Sequence, residues 1–190
     1  MENDGPENTA SPLAAFITAA MAAGWSVENR KSSNPILGPE VTRRYPRLVP
    51  SHFEFLKSIA VCVNAKKTSW FLCESDYRST NDTTPEPWRW NEYELMSLDA
   101  AAGDADWQEK IRRFWDTHLP IFISVEAGDY DYVALDVSKE GFGQVVHGVS
   151  PEFEEVSPLA ATFNDFLTEF ARSLRGEPPS DELSPLKLFI

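Results

Sequence analysis

The strongest constraint in this sequence lies in its middle third, where three strand-length segments follow one another with no room for helices between them. Residues 121–125 form an apolar run, and Glu126-Ala127-Gly128-Asp129 makes a turn. Residues 130–137 then alternate as a second strand, 138–142 turn again, and 143–149 supply a third. Connections this short can only join antiparallel neighbours, because a parallel crossover needs about a dozen residues or more. A β-meander is predicted, and the missing βαβ alternation disfavours a doubly wound fold.

Amphipathic helices flank this unit. Ser11-Pro12 starts one: serine caps the free N–H groups and proline suits the first turn. Leu13, Phe16, Ile17, Ala20 and Met21 share its apolar face, and Gly24 stops it. Residues 25–49 show no clear period and read as loops with at most short elements. Ser51-His52-Phe53-Glu54 matches a capping box for a short helix that turns Phe53, Phe55 and Leu56 inward. The β-branched and aromatic runs 59–63 and 69–73 are predicted strands, and Trp90 to Leu95 could enter a short helix.

A helix is predicted over 104–118, with Trp107, Ile111, Phe114, Trp115 and His118 as its apolar stripe and Leu119-Pro120 as its stop. Ser157-Pro158 repeats the Ser-Pro start and is predicted to open the last helix. Leu159, Phe163, Phe166, Leu167, Phe170 and Leu174 form its buried stripe, and Gly176 ends it. The result is an α+β domain, a central, mainly antiparallel sheet flanked by helices, spanning 11–176. A flexible N-terminus covers 1–10 and an acidic, proline-containing tail covers 177–190. Leu186 and the apolar residues after it give that tail the means to dock on the domain or on a partner.

The 190 residues carry 17 Lys+Arg against 30 Asp+Glu, a formal net charge of −13. An acidic surface repels phosphate backbones and anionic membranes, and it attracts a basic protein. The acidity is concentrated late: residues 126–190 hold 13 acidic and 4 basic side chains. It clusters at 126–136 and in Glu152-Phe153-Glu154-Glu155. Arg43-Arg44-Tyr45-Pro46-Arg47 is the basic counterweight, open to an anion or to an internal pairing. Cys62 and Cys73 belong to no C-x-x-C pair, so two free core thiols are favoured over one bridge. The acidic start Met1-Glu2-Asn3-Asp4 lacks the basic and apolar regions of a secretory signal, and no stretch is apolar enough to span a membrane, so the cytoplasm is expected.

Chemistry-bearing motifs are sparse. His52, His118 and His147 form no metal-ligand spacing, and each is read as structural. Asp129 and Asp131 form a D-x-D beside Glu126, which suits a cation or an acid and base. Hairpin chemistry explains Gly128-Asp129 equally well, and Asp131 is expected to point outward from a strand whose tyrosines point inward. No phosphate-cradling loop and no nucleophile elbow occur. Of the tryptophans, Trp88 is the one expected at the surface, because it follows Pro87 in a polar loop.

The order of these pieces resembles the SUKH superfamily, the Smi/Knr-type proteins that include a fungal cell-wall-assembly regulator and many bacterial immunity proteins. Leu48-Val49-Pro50 with Phe53-Glu54-Phe55-Leu56 is similar to the family's opening, and Trp90-Asn91-Glu92 to its aromatic segment. Leu119-Pro120-Ile121-Phe122-Ile123-Ser124-Val125, Gly128-Asp129-Tyr130 and Tyr132-Val133-Ala134-Leu135-Asp136 look like its strand, glycine turn and second strand. Gly143, Val145-Val146 and the helix with Ala161, Phe163, Phe166 and Leu167 close the likeness. The resemblance implies an α+β fold, no catalysis, no cofactor and no metal. It also implies binding of a cognate toxin, often a nuclease or deaminase domain. A nuclease must present basic surface to phosphates, so the acidic patches suit that partner. The residues expected to meet it are Glu126, Asp129, Asp131, Glu152, Glu154, Glu155 and Trp88. An intracellular scaffold or regulatory domain is the alternative, and a carboxylate-dependent hydrolase built on Glu126, Asp129 and Asp131 is a second.

Overall fold

A computed structural model describes residues 10–31, 35–78, 88–125, 130–178 and Leu186. Helix α1 (Pro12–Ala22) leads to strand β1 (Ser26–Asn29), then to α2 (Pro39–Arg44) and α3 (Pro50–Ser58). Strands β2 (Ile59–Val63) and β3 (Ser69–Phe71) precede α4 (Glu92–Ala100) and α5 (Ala105–Trp115). Strands β4 (His118–Ser124), β5 (Asp131–Asp136), β6 (Val145–Val149) and β7 (Ser157–Ala160) are followed by α6 (Phe163–Leu174). The seven strands form one antiparallel sheet in strict sequence order, from β1 at one edge to β7 at the other. The expected α+β architecture and its central meander are both present.

Helices cover the sheet on two faces. On the first, Phe16 of α1, Phe55 of α3 and Phe166 and Phe170 of α6 ring Phe71 of β3, and Phe170 reaches Phe122 of β4. On the other, Tyr93 of α4 and Trp115 of α5 pack on Tyr132 of β5. The strand period of two explains the split: Phe122 pairs with Val133 on one face, and Ile123 with Tyr132 on the other.

Two helix starts agree with their sequence signals, Ser11 for α1 and Asp104 for α5. Ser11 Oγ accepts from Ala14 N at 3.3 Å, with Pro12 behind it. Three predictions need correction. The first is α3, which is capped by no side chain: Val49 is its N-cap and Pro50 opens it, while Glu54 of the supposed capping box binds Lys57 at 3.0 Å. Proline at the first position needs no cap for its missing N–H, so the helix starts two residues earlier.

The second correction concerns α5, which ends at Trp115. His118, Leu119 and Pro120 belong to β4, where a register shift at Pro120 makes room for a residue without an N–H. Trp107, assigned to the stripe, is 48% exposed. The third concerns Ser157-Pro158, which starts β7 and not a helix. As an edge strand β7 tolerates proline, and Thr162 is the true cap of α6, its Oγ1 accepting from Asp165 N at 3.1 Å.

The interior also holds polar groups. Both thiols are free and buried, and burial pushes Cys62 up to about 12 and Cys73 higher still. Arg44 of the basic cluster turns inward to a bidentate pair with Glu94, at 2.5 and 2.8 Å, and to Asp116 at 2.8 Å. Arg47 lies over the Phe142 ring at 4.4 Å. Leu186 is buried in the core, so the tail docks at that residue.

His52 sits among Phe55, Tyr77 and Phe163, with both ring nitrogens buried and unpartnered among the described residues. Burial lowers its pKa from 6.5 to about 3, so the folded state refuses a proton that the unfolded chain takes. Its contribution to stability is complete above pH 6.5 and is lost as pH falls toward 3. His52→Phe removes the titration. Chemical denaturation at stepped pH should therefore show the variant gaining on the wild type by roughly 1.4 kcal/mol per pH unit below the unfolded pKa. A gap that does not change with pH would count against this role for His52.

Candidate partner-binding face

Loop 150–156 between β6 and β7 is held against the Tyr93–Trp115 face of the sheet by Ser150, Phe153 and Glu154. Its root is tied by Ser150 N to Tyr130 O at 2.9 Å and by Tyr130 N to Ser150 Oγ at 3.2 Å. Phe153 is buried and stacks on Tyr93, with ring centres 4.7 Å apart. The Tyr132 hydroxyl donates to Phe153 O. Glu154 Oε1 accepts from the Trp115 indole N–H at 2.8 Å. Glu155 N closes a turn on Glu152 O at 3.0 Å. With Phe153 and Glu154 held inside, Glu152 and Glu155 are left exposed on either side of an anchored core.

An aromatic platform adjoins the root of this loop. Trp88 is half-buried, with its ring 6.1 Å from Trp70, 6.0 Å from Tyr93 and 5.5 Å from Tyr130. Clustered aromatics fix Trp88 at little entropic cost while part of its surface stays open, which suits a binding anchor. Glu152, Glu155 and Trp88 are thus presented by a connected scaffold: Trp88 touches Tyr130, and Tyr130 ties the loop.

Asp131 belongs to the opposite face. It is buried, contrary to the outward position expected, and its Oδ1 lies 2.8 Å from His147 Nε2. Register explains this: Asp131 pairs across to Ser124, whose hydroxyl lies 2.9 Å from that of Ser69, so these polar side chains share the Phe122 face. At 6% exposure and paired with His147, the Asp131 carboxylate offers little surface to a partner. Glu154 is likewise committed internally. Glu126 and Asp129 lie outside the described residues. Among the described residues, no three His, Cys, Asp or Glu side chains gather in a metal-binding group, and no helix is long and apolar enough to cross a membrane.

The sequence did not reveal the internal duties of Glu154 and Asp131, because both depend on partners 39 and 16 residues away. It also missed Trp107, whose position on a helical stripe mimics burial. Gly148 carried no signal either, yet the loop depends on it. A methyl at Gly148 would overlap the Tyr132 ring, its partner in register.

A sequential antiparallel sheet with helices on both faces defines the class as an α+β domain. The SMI1 / KNR4 family (SUKH-1) matches residues 67–169, more than half of the chain, and the chain belongs to that family. The matched span runs from the turn before β3 into α6. It leaves out Leu48-Val49-Pro50 and Phe53 to Leu56, the segment likened above to the family's opening. No curated protein and no solved structure matches the chain.

Gly148→Ala should destabilise the fold by about 2 kcal/mol, because Tyr132 is fully buried and its hydroxyl is committed to Phe153 O. Thermal unfolding measures the loss. Faster hydrogen exchange at 152–156 than at α1 would show that the loop loosens first, and uniform exchange would refute the link between Gly148 and the loop.

Proposed function

We propose that this chain is a non-enzymatic protein-binding module of the immunity type, which acts in the cytoplasm and sequesters a basic toxin domain of nuclease or deaminase chemistry. The carrying observation is the loop that points Glu152 and Glu155 outward while Phe153 and Glu154 anchor it. A loop backbone already held in place needs no ordering on binding, and its exposed charge steers a basic partner to the site. Trp88 supplies a rigid aromatic anchor beside it. Family membership supports an interaction role of either the immunity or the regulatory kind.

The test is affinity capture of the tagged chain from source-cell lysate at low and moderate salt, followed by binding measurements with the captured partner. A single basic, toxin-like protein is expected, with nanomolar affinity that weakens as salt rises. Glu152→Lys with Glu155→Lys should weaken binding by about tenfold or more, chiefly through slower association, while Glu154 stays in place to keep the loop folded. Trp88→Ala should speed dissociation. Unchanged affinity in the double charge reversal removes the acidic-loop version. Capture of several housekeeping or signalling proteins in place of a toxin supports the regulatory interaction domain.

A further inference from the structure

The sheet carries a second, oppositely charged feature at its β1–β2 end, away from loop 150–156. Arg30, Lys31, Ala60, Glu74, Ser75 and Arg78 line a cleft of about 270 Å³. Among the described residues that line it, three are cationic and one is a carboxylate, on a chain of net charge −13. Glu74 builds it. Its carboxylate is buried, takes the Ile36 N–H at 2.9 Å, and binds both Arg30 and Arg78, the latter at 2.6 Å. The Arg78 Nε donates to Ile36 O at 3.2 Å. Arg30 is held with its side chain 7% exposed, whereas Arg78 is 55% exposed at the mouth.

The Glu74 carboxylate sets both guanidinium groups, and the outer one, Arg78, stands 55% exposed at the mouth of the cleft. Each guanidinium carries five N–H donors in a fixed fork suited to oxyanions. The Nη1 group of Arg78 and the ammonium of Lys31 have no partner among the described residues. An adjoining cleft of about 160 Å³, which shares Ala60 and Ser75, is lined by Val61, Val63 and Trp70, so an apolar body could follow the charged head. Asp76 also lines that second cleft, but its carboxylate accepts from Cys73 N at 2.7 Å.

We infer that the Arg30–Lys31–Arg78 cleft binds a compact dianionic oxyanion of a small molecule, with Glu74 as the positioning residue that sets the two guanidinium groups. The shared chemistry is that of a phosphate monoester group or a dicarboxylate. This site stands independently of the partner proposed above, since it uses the other end of the sheet and the opposite charge.

The test is nitrogen-15 NMR titration of the full chain with inorganic phosphate and, separately, with succinate, each at ionic strength matched with sodium chloride. Saturable shifts at the Lys31 and Ser75 amides and the Arg78 Nε–H are expected. Lys31→Ala and Arg78→Ala, both at exposed positions, should weaken binding by at least about tenfold while leaving the rest of the spectrum intact. Saturation by phosphate alone assigns a phosphate ester, and saturation by succinate as well assigns a carboxylate-tolerant site. Shifts no larger than those with chloride, or equal in wild type and both variants, overturn the inference.

Discussion

Buried tyrosine hydroxyls hold this fold together at the places where the sheet cannot satisfy its own backbone. A buried carbonyl without a donor costs about 1–3 kcal/mol, and irregular points in a sheet create such carbonyls. Tyr45 donates to Trp115 O at 2.6 Å and lies 3.2 Å from His118 O, where α5 hands over to β4. Tyr77 donates to Pro120 O at 2.6 Å, beside the register shift in β4. Tyr93 donates to Asp131 O at 3.2 Å, at the start of β5, and Tyr132 to Phe153 O in the acidic loop. Burial raises the pKa of all four phenols, so each remains a donor at any pH the protein meets.

These contacts decide what reaches the surface. The bond from Tyr132 and the ring of Tyr93 fix Phe153, and Phe153 sets which glutamates turn out. The same strand, β5, sends Asp131 to the other face, where His147 takes it. One strand thus separates a carboxylate used for folding from the neighbouring loop whose carboxylates remain open to partners. The basic cleft obeys a related rule at the other edge: one buried carboxylate orders two arginines, one held inside and one at the mouth.

The meander was legible because its evidence is local. Short turns between apolar runs permit one arrangement, and the structure keeps it. Helix α1 was legible for the same reason, since serine, proline and the apolar stripe agree. Ser157-Pro158 shows where local reading ends. The same dipeptide that opens α1 opens an edge strand here, because β6 offers free backbone groups and Thr162 competes as a cap with Asp165. Periodicity likewise placed Trp107 inside, although the covered face of α5 runs through Gln108, Ile111 and Trp115, with Gln108 Nε2 donating to Leu98 O of α4 at 3.4 Å. At the site, Glu152 and Glu155 were identified from charge density alone. The commitments of Glu154 and Asp131 were not, since a carboxylate's partner across the sheet leaves no mark in its own neighbourhood.

The first helix and the last are packed together, with Phe16 and Phe170 in ring contact at 5.8 Å. A chain leaving the ribosome can pair each strand with the one before it as synthesis proceeds, because the sheet follows sequence order. Helix α1 meets Phe71 of β3 early through Phe16, and Phe170 of α6 completes the cover of both rings. Until the residues of α6 emerge, Phe16 and Phe71 lack the Phe170 ring that covers them, so a nascent chain halted after β7 carries an open phenylalanine surface that chaperones recognise.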